Sequence, residues 1–252
     1  VLVHGSFMLN PTLFDRFPWI RLLDGVELFF VLSGFLIGGI LIRTAEKHNG
    51  LSGRQLAVFW KRRWFRTLPP YFLILCLNWL FLDQDWIDGD PEQFGWRYFL
   101  FLQNMGEASW YDFPQLIGFF WESWSLSIEE WFYLLLPLSM ILTVNLMGAK
   151  RGLFVSMLVM MIVPLGYRIQ LSDLTADGFW WDVTFRKTVF ARLDTIMYGV
   201  LAAWVCHYFP RFWSKYRTPA FILGIIILWL AVNIPKDVNS MYAKTWYFNL
   251  LS

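Results

Sequence analysis

The chain has 252 residues, of which 57% are hydrophobic, 20% aromatic and 16% charged, and its formal net charge is +2. Because a soluble domain carries roughly a quarter charged residues, this composition excludes an ordinary soluble globular protein. Apolar runs flanked by Trp and Phe are typical of a bilayer protein. Cys76 and Cys206 have no metal-ligand spacing, and no nucleic-acid motif is present. We therefore predict an all-α fold, a polytopic transmembrane helix bundle.

Six complete spans are predicted from the apolar runs, several of them close to the ~20 residues that cross a bilayer core. They cover residues 23–42, 68–82, 124–147, 153–167, 189–209 and 218–234. Residues 94–104 are apolar but too short to cross, which predicts a re-entrant or interfacial segment. Partial helix patterns at both ends, His4 being in the first, lead us to expect residues 1–252 to be a single transmembrane domain truncated at both ends.

The charge distribution predicts one orientation in the membrane. Basic residues are concentrated in 43–66 and return at 150–151 and 211–217, which the positive-inside rule places in the cytoplasm. Acidic residues cluster in 83–92, directly after the second span, and this segment is expected to face outside. All the loops agree with this single orientation.

Two adjacent carboxylates, Glu129 and Glu130, lie at the start of the third span. Ser127 followed by Glu130 fits a capping box, so we assign Glu130 to a helix cap. Glu129 points about 100° away around the helix, so the cap does not explain it. A charge in a long apolar run usually has a partner or a functional role.

Further polar side chains lie toward the outer half in this topology. His4 and Glu129, on different helices, can form a general base and its orienting carboxylate, although His4 alone is also compatible with a packing role. Glu27 fits either a catalytic role or a favourable interaction with a helix dipole. Arg192 and Asp194 point to different sides of their helix, so each is expected to pair with another helix, Asp194 in a structural role.

Two further motifs lie nearer the membrane edges. Arg63 and Arg66 share one helix face at the predicted cytoplasmic edge and can bind a phosphate bidentately. The alternative is that they anchor lipid headgroups and set orientation, and charge alone favours this alternative. Asn104 is expected to hydrogen-bond to a neighbouring helix.

Five segments in this order resemble the membrane-bound acyltransferase-3 family, the O-acyltransferases of bacterial surface glycans. They are GVELFFVLSGFLI at 25–37, RRWFRTLP at 62–69, FLFLQN at 99–104, WSLSIEEWFY at 124–133 and RLD at 192–194. The resemblance runs from His4 to about Gly199. It implies about ten transmembrane helices and a bacterial inner-membrane location.

The resemblance also implies the chemistry. The donor would be acyl-CoA, most simply acetyl-CoA, bound from the cytoplasm, and the acceptor a hydroxyl of an extracytoplasmic carbohydrate. No bound cofactor, metal or nucleic acid is expected. His4 matches the family's catalytic histidine, Glu129 its motif glutamate, and Arg63 and Arg66 its R-x-x-R motif for the CoA phosphates. The expected supporting polar residues are Glu27, Asn104, Ser127, Arg192 and Asp194.

Two departures from the family pattern stand out. Glu27 replaces the usual Asp, which changes the reach of that carboxylate by one methylene. The arginine that precedes the family histidine by about three turns is absent from these residues, so we expect them to be incomplete as a catalyst.

Two other functions are compatible with the sequence. A transporter or flippase of lipid-linked sugars would also use intramembrane charges and glycine-broken helices, but no inverted internal repeat is detectable. A structural membrane subunit would tolerate substitution at Arg63, Arg66, His4 and Glu129.

Overall fold

The structure is a computed structural model that describes residues 25–84, 86, 94–106, 120–174, 178–233 and 237–251. Regular structure in these residues is helical throughout, which confirms the predicted all-α fold. Five helices are long and apolar enough to cross a membrane.

The helices are numbered in chain order over the described residues. They are α1 Gly25–Lys47, α2 Gly53–Asp83, α3 Trp96–Phe99, α4 Trp124–Gln170, α5 Gly178–Trp181, α6 Val189–Tyr208, α7 Pro210–Asn233 and α8 Tyr247–Leu251. A 3₁₀ turn, Trp121–Ser123, precedes α4, and π-helical turns at Asp182–Arg186 and Tyr242–Trp246 precede α6 and α8.

The 47-residue α4 is a hairpin of two helical segments. Gly148 interrupts it with φ 79° and ψ 164°, a conformation that glycine adopts readily. In a straight helix, residues 13 apart would be separated by roughly 20 Å, yet the hydroxyls of Thr143 and Ser156 are 2.8 Å apart. We call the segments α4a, residues 124–147, and α4b, residues 149–170. The five long helices therefore contain six spans, as predicted.

The core is formed by α1, both segments of α4, and α6, whose buried apolar side chains form one cluster. Glycines allow α1 and α6 to approach closely: a Cβ at Gly34 would overlap the backbone of Ile196, and one at Gly199 the backbone of Val31. Small residues at a helix interface allow this close packing in membrane bundles.

The second span differs from its prediction. It was predicted to begin at Leu68, but α2 begins at Gly53 and continues through Pro69 and Pro70. Ser52 accounts for this start, because its backbone N–H donates to the Gln55 side chain at 2.8 Å in a capping box. The basic residues from Arg54 to Arg66 consequently lie on a helix rather than in a loop.

Two other boundaries also moved. The fourth span was predicted to end at residue 167, but α4 continues to Gln170, and helical turns lie between it and α6. The last span begins at Pro210 rather than Thr218.

Candidate active site

Glu129 lies in the second turn of α4a and is only 1% exposed. Tyr133 is four residues further along the same helix face, and its hydroxyl donates to Glu129 Oε1 at 2.8 Å. The hydroxyl of Ser33, from α1, lies 2.5 Å from the Tyr133 hydroxyl. Glu129 is therefore held where α1 meets α4a.

Helix α2 contributes Arg63 to the same group. Arg63 Nη2 donates to the Tyr133 hydroxyl, and its guanidinium lies 4.1 Å from the centroid of the Tyr133 ring. Trp60, one turn earlier, donates from Nε1 to the Tyr133 carbonyl at 2.8 Å. Arg63 lies about 15 Å along α2 from its start at Gly53, well inside the helix.

A cavity of about 330 Å³ opens beside these side chains. Its polar wall contains Glu129, Ser33, Arg63, Arg66 and Thr67. Ser125 also lines it, and its apolar wall consists of Phe29, Leu32, Leu36 and Leu126. The predicted catalytic glutamate and the two predicted donor-site arginines thus line one cavity, although the sequence suggested opposite ends of the membrane. The longer α2 explains the difference, because both arginines lie within it and line the same cavity as Glu129.

Glu130 does not cap α4. It accepts hydrogen bonds from Trp64 Nε1 at 3.0 Å and from the Thr67 hydroxyl at 2.9 Å. Because α4 begins at Trp124, Ser127 lies one turn inside the helix, and its hydroxyl donates to the Ser123 carbonyl at 3.2 Å. The predicted capping box was therefore wrong. We call Ser33, Arg63, Glu129, Glu130 and Tyr133 the Glu129 cluster.

Asn104 and Ser127 support the start of α4. The Asn104 amide donates to the Trp124 carbonyl at 3.1 Å and to the Lys187 carbonyl at 2.6 Å, which confirms the expected bond to a neighbouring helix. Ser127 accepts a hydrogen bond of 2.6 Å from Gln103 Nε2. The segment 101–106 is thus joined to the turn from which Glu129 projects.

A second group of buried charges lies where α1, α4b, α6 and α8 meet. Arg192 donates to Glu27 Oε1 at 2.5 Å, and Arg168 donates to Asp194 Oδ2 at 2.6 Å. Asn249 accepts from Arg168 and donates to Asp194. We call these five residues the ion-pair cluster.

The ion-pair cluster confirms that Arg192 and Asp194 each pair with another helix. Glu27 serves as an ion-pair partner here. Arg168 was not predicted as a partner, because the predicted span 153–167 ends one residue before it. Its position directly after an apolar run was the one available signal.

His4 lies outside the described residues, so its pairing with Glu129 stays a prediction. Among the described residues, no three His, Cys, Asp or Glu side chains are grouped in a way that could hold a metal ion.

The geometry defines a class of protein: a multi-pass membrane helix bundle in which a buried carboxylate, a buried phenol and a partly buried guanidinium lie beside a cavity. The family model described as "Acyltransferase domain" matches residues 1–251. The chain therefore belongs to the acyltransferase-3 family, which confirms the resemblance found in its motifs.

Characterised and uncharacterised bacterial proteins are similar to this chain. O-acetyltransferase OatA of Staphylococcus aureus is 29% identical over 198 residues, which are 72% of this chain and 30% of that protein. Peptidoglycan O-acetyltransferase OatA of Listeria monocytogenes is 33% identical over 123 residues, 45% of this chain and 19% of that protein.

An uncharacterized protein of Haemophilus influenzae is 30% identical over 188 residues, 71% of this chain and 73% of that protein. The chain spans less than a third of the length of the two OatA relatives. No solved structure matches it significantly.

Proposed function

We propose that this domain is the membrane part of an O-acetyltransferase that moves an acetyl group from cytoplasmic acetyl-CoA to a hydroxyl of an extracytoplasmic carbohydrate. The similar proteins named O-acetyltransferases support acetyl transfer, and the relative named for peptidoglycan supports a glycan acceptor. The bacterial cytoplasmic membrane is the proposed location. The observation that carries the proposal is that Glu129, Arg63 and Arg66 line the same cavity.

The cavity suits the reacting end of an acyl-CoA. Its volume lies at the lower end of small-molecule sites, roughly 300–1,000 Å³. The apolar side chains Phe29, Leu32 and Leu36 provide a wall for an acyl group and a pantetheine arm, and the two arginines provide donors for the polar parts of the donor. The prediction that both arginines bind the CoA phosphates is untested, and only Arg66 keeps that role in the proposal.

In the proposed reaction, the acceptor hydroxyl attacks the thioester carbonyl carbon. His4 is predicted to take the hydroxyl proton, and Glu129 to orient the imidazole and stabilise the imidazolium. The new carbon–oxygen bond forms first, the carbon–sulfur bond then breaks to leave the ester, and the thiolate of CoA takes up the proton from His4. Tyr133 holds Glu129 in place for this role through its 2.8 Å hydrogen bond.

Transfer by the purified full-length protein tests the proposal. Radiolabelled acetyl-CoA and glycan oligomers, supplied to opposite faces of proteoliposomes, should yield labelled ester that mild base releases. Mass analysis of surface glycans from cells with and without the gene should show the matching loss of acetyl groups. Movement of a lipid-linked sugar across the bilayer without any acetyl transfer would instead support the flippase alternative.

A further inference from the structure

Arg63 is separated from Glu129 by a single phenol oxygen. Its Nη2 donates to the Tyr133 hydroxyl, and the same hydroxyl donates to Glu129 Oε1 at 2.8 Å. Both Arg63 and Glu129 also line the cavity of about 330 Å³. Whatever reacts beside Glu129 is therefore within reach of the Arg63 guanidinium.

The length of an acyl-CoA limits which part of the donor Arg63 can contact. The pantetheine arm separates the thioester from the diphosphate by more than ten covalent bonds, roughly 15 Å when extended. An extended donor with its thioester beside Glu129 therefore cannot place its diphosphate on Arg63.

The charges around Arg63 also argue against a diphosphate beside it. Glu129 and Glu130 are adjacent and buried, and Thr67 donates both to Glu130 at 2.9 Å and to the Arg63 carbonyl at 3.2 Å. A diphosphate at this place would bring several negative charges close to two carboxylates in a poorly screened interior. A neutral thioester avoids that repulsion.

The guanidinium is also held in one orientation. It lies over the Tyr133 ring at 4.1 Å, and its buried Nε has no hydrogen-bond acceptor in the part of the chain that the structure describes. A guanidinium has five N–H donors, so the bond to Tyr133 leaves others for a ligand. Donors fixed before the reaction are the most effective at stabilising developing negative charge.

We propose that Arg63 is a catalytic residue that donates a hydrogen bond to the thioester carbonyl oxygen and stabilises the oxyanion; this rests on the proposed acetyl transfer. As the acceptor oxygen bonds to the carbonyl carbon, the carbonyl electrons move to its oxygen beside Arg63. When the intermediate collapses, the carbonyl re-forms and the carbon–sulfur bond breaks. Tyr133 is a positioning residue that holds Arg63 and Glu129 on the two sides of the reacting carbon.

Separating donor binding from turnover tests the role of Arg63. In the full-length protein, Arg63→Ala should lower kcat with acetyl-CoA about 10²–10³-fold, the loss typical of removing one oxyanion donor. The dissociation constant of CoA itself, measured by tryptophan fluorescence, should change less than threefold. The reverse result, a CoA affinity reduced ten- to a hundred-fold with kcat retained, would make Arg63 a phosphate ligand and overturn the proposal.

A truncated donor gives a second, independent measurement. S-Acetylpantetheine lacks the nucleotide and its diphosphate, so Arg63→Ala should reduce transfer from it by the same factor as transfer from acetyl-CoA. A loss confined to acetyl-CoA contradicts the proposal. Arg62→Ala is the matched control, because Arg62 is an exposed neighbour on the same helix, and it should change neither donor reaction.

Two further experiments separate a loss of catalysis from a loss of folding. If Arg63→Ala fails to fold, Arg63→Lys keeps a cation at this position and should show a smaller loss that is again equal for both donors. Added guanidinium ion should partly restore turnover of Arg63→Ala if the missing group acts on the reaction itself. Failure of the unmodified protein to transfer acetyl from acetyl-CoA would refute the proposed function, which is distinct from transfer that is insensitive to Arg63.

Discussion

The ion-pair cluster and the Glu129 cluster are both buried in the same bundle, but their carboxylates have different partners. In the ion-pair cluster, Glu27 and Asp194 each bind an arginine, and Asn249 hydrogen-bonds to both Arg168 and Asp194. In the Glu129 cluster, the carboxylates are hydrogen-bonded by Tyr, Ser, Trp and Thr side chains, and the arginine bonds to a phenol instead.

The difference separates structural from functional charge. A buried carboxylate paired with an arginine has its charge neutralised where it stands, so the ion-pair cluster has little capacity to respond to a ligand. The Glu129 cluster leaves a guanidinium and a carboxylate at the wall of a cavity, where a ligand can engage both. The two clusters share α1, which carries Glu27 in one and Ser33 in the other.

The largest expected effect comes from the predicted base and its orienting group. His4→Ala in the full-length protein should reduce turnover about 10²–10⁴-fold, because general-base assistance is lost. Glu129→Gln keeps the shape but removes the charge that stabilises the imidazolium, so it should also slow turnover strongly with little change in donor binding. If the two act as one unit, the double variant should be hardly slower than His4→Ala alone. Additive losses would show that they act separately.

The ion-pair cluster should respond in stability rather than rate. Asp194→Ala leaves Arg168 buried without its carboxylate, which should cost about 3–5 kcal/mol and be measurable as loss of folded protein in detergent. Replacing both partners, as in Arg168→Met with Asp194→Leu, leaves neither charge unpaired and should recover most of that loss. If the double variant is as unstable as the single one, the pair does more than compensate buried charge.

Much of the bundle was predictable, because hydropathy and loop charge are local properties of the sequence. These local properties predicted the six spans. They also indicated that Arg192 and Asp194 pair with other helices. The identity of the partners did not, since Arg192 and Glu27 are 165 residues apart and meet only through the packing of α1 on α6.

The predictions that the structure contradicts also have causes in the local sequence. Proline usually ends or kinks a helix, but α2 continues through Pro69 and Pro70, as membrane helices can when neighbouring groups satisfy the freed backbone. The Ser127-x-x-Glu130 pattern matched a capping box one turn inside the real helix start. Because α2 was predicted too short, the shared cavity of Arg63, Arg66 and Glu129 could not be foreseen.

Tyr133→Phe tests whether the phenol organises the Glu129 cluster. It removes one hydrogen bond to a charged group on each side, which we expect to lower turnover about ten- to a hundred-fold while CoA affinity changes less than threefold. Tyr71→Phe is the matched control, because the buried Tyr71 hydroxyl donates to the Tyr98 carbonyl at 2.9 Å in a separate apolar cluster. Equal losses in both variants would reduce the role of Tyr133 to general packing.

The smallest effect is expected at Glu130. Both of its described partners, Trp64 and Thr67, lie on α2 and donate to it. In Glu130→Gln, the amide oxygen can still accept from Trp64, and the amide N–H can donate to the Thr67 hydroxyl once that hydroxyl has rotated toward the Arg63 carbonyl. The variant should therefore lose only about 0.5–1.5 kcal/mol, seen as a slightly lower unfolding temperature with turnover retained. Should it abolish turnover in folded protein while Glu129→Gln spares it, the two glutamates have been assigned the wrong way round.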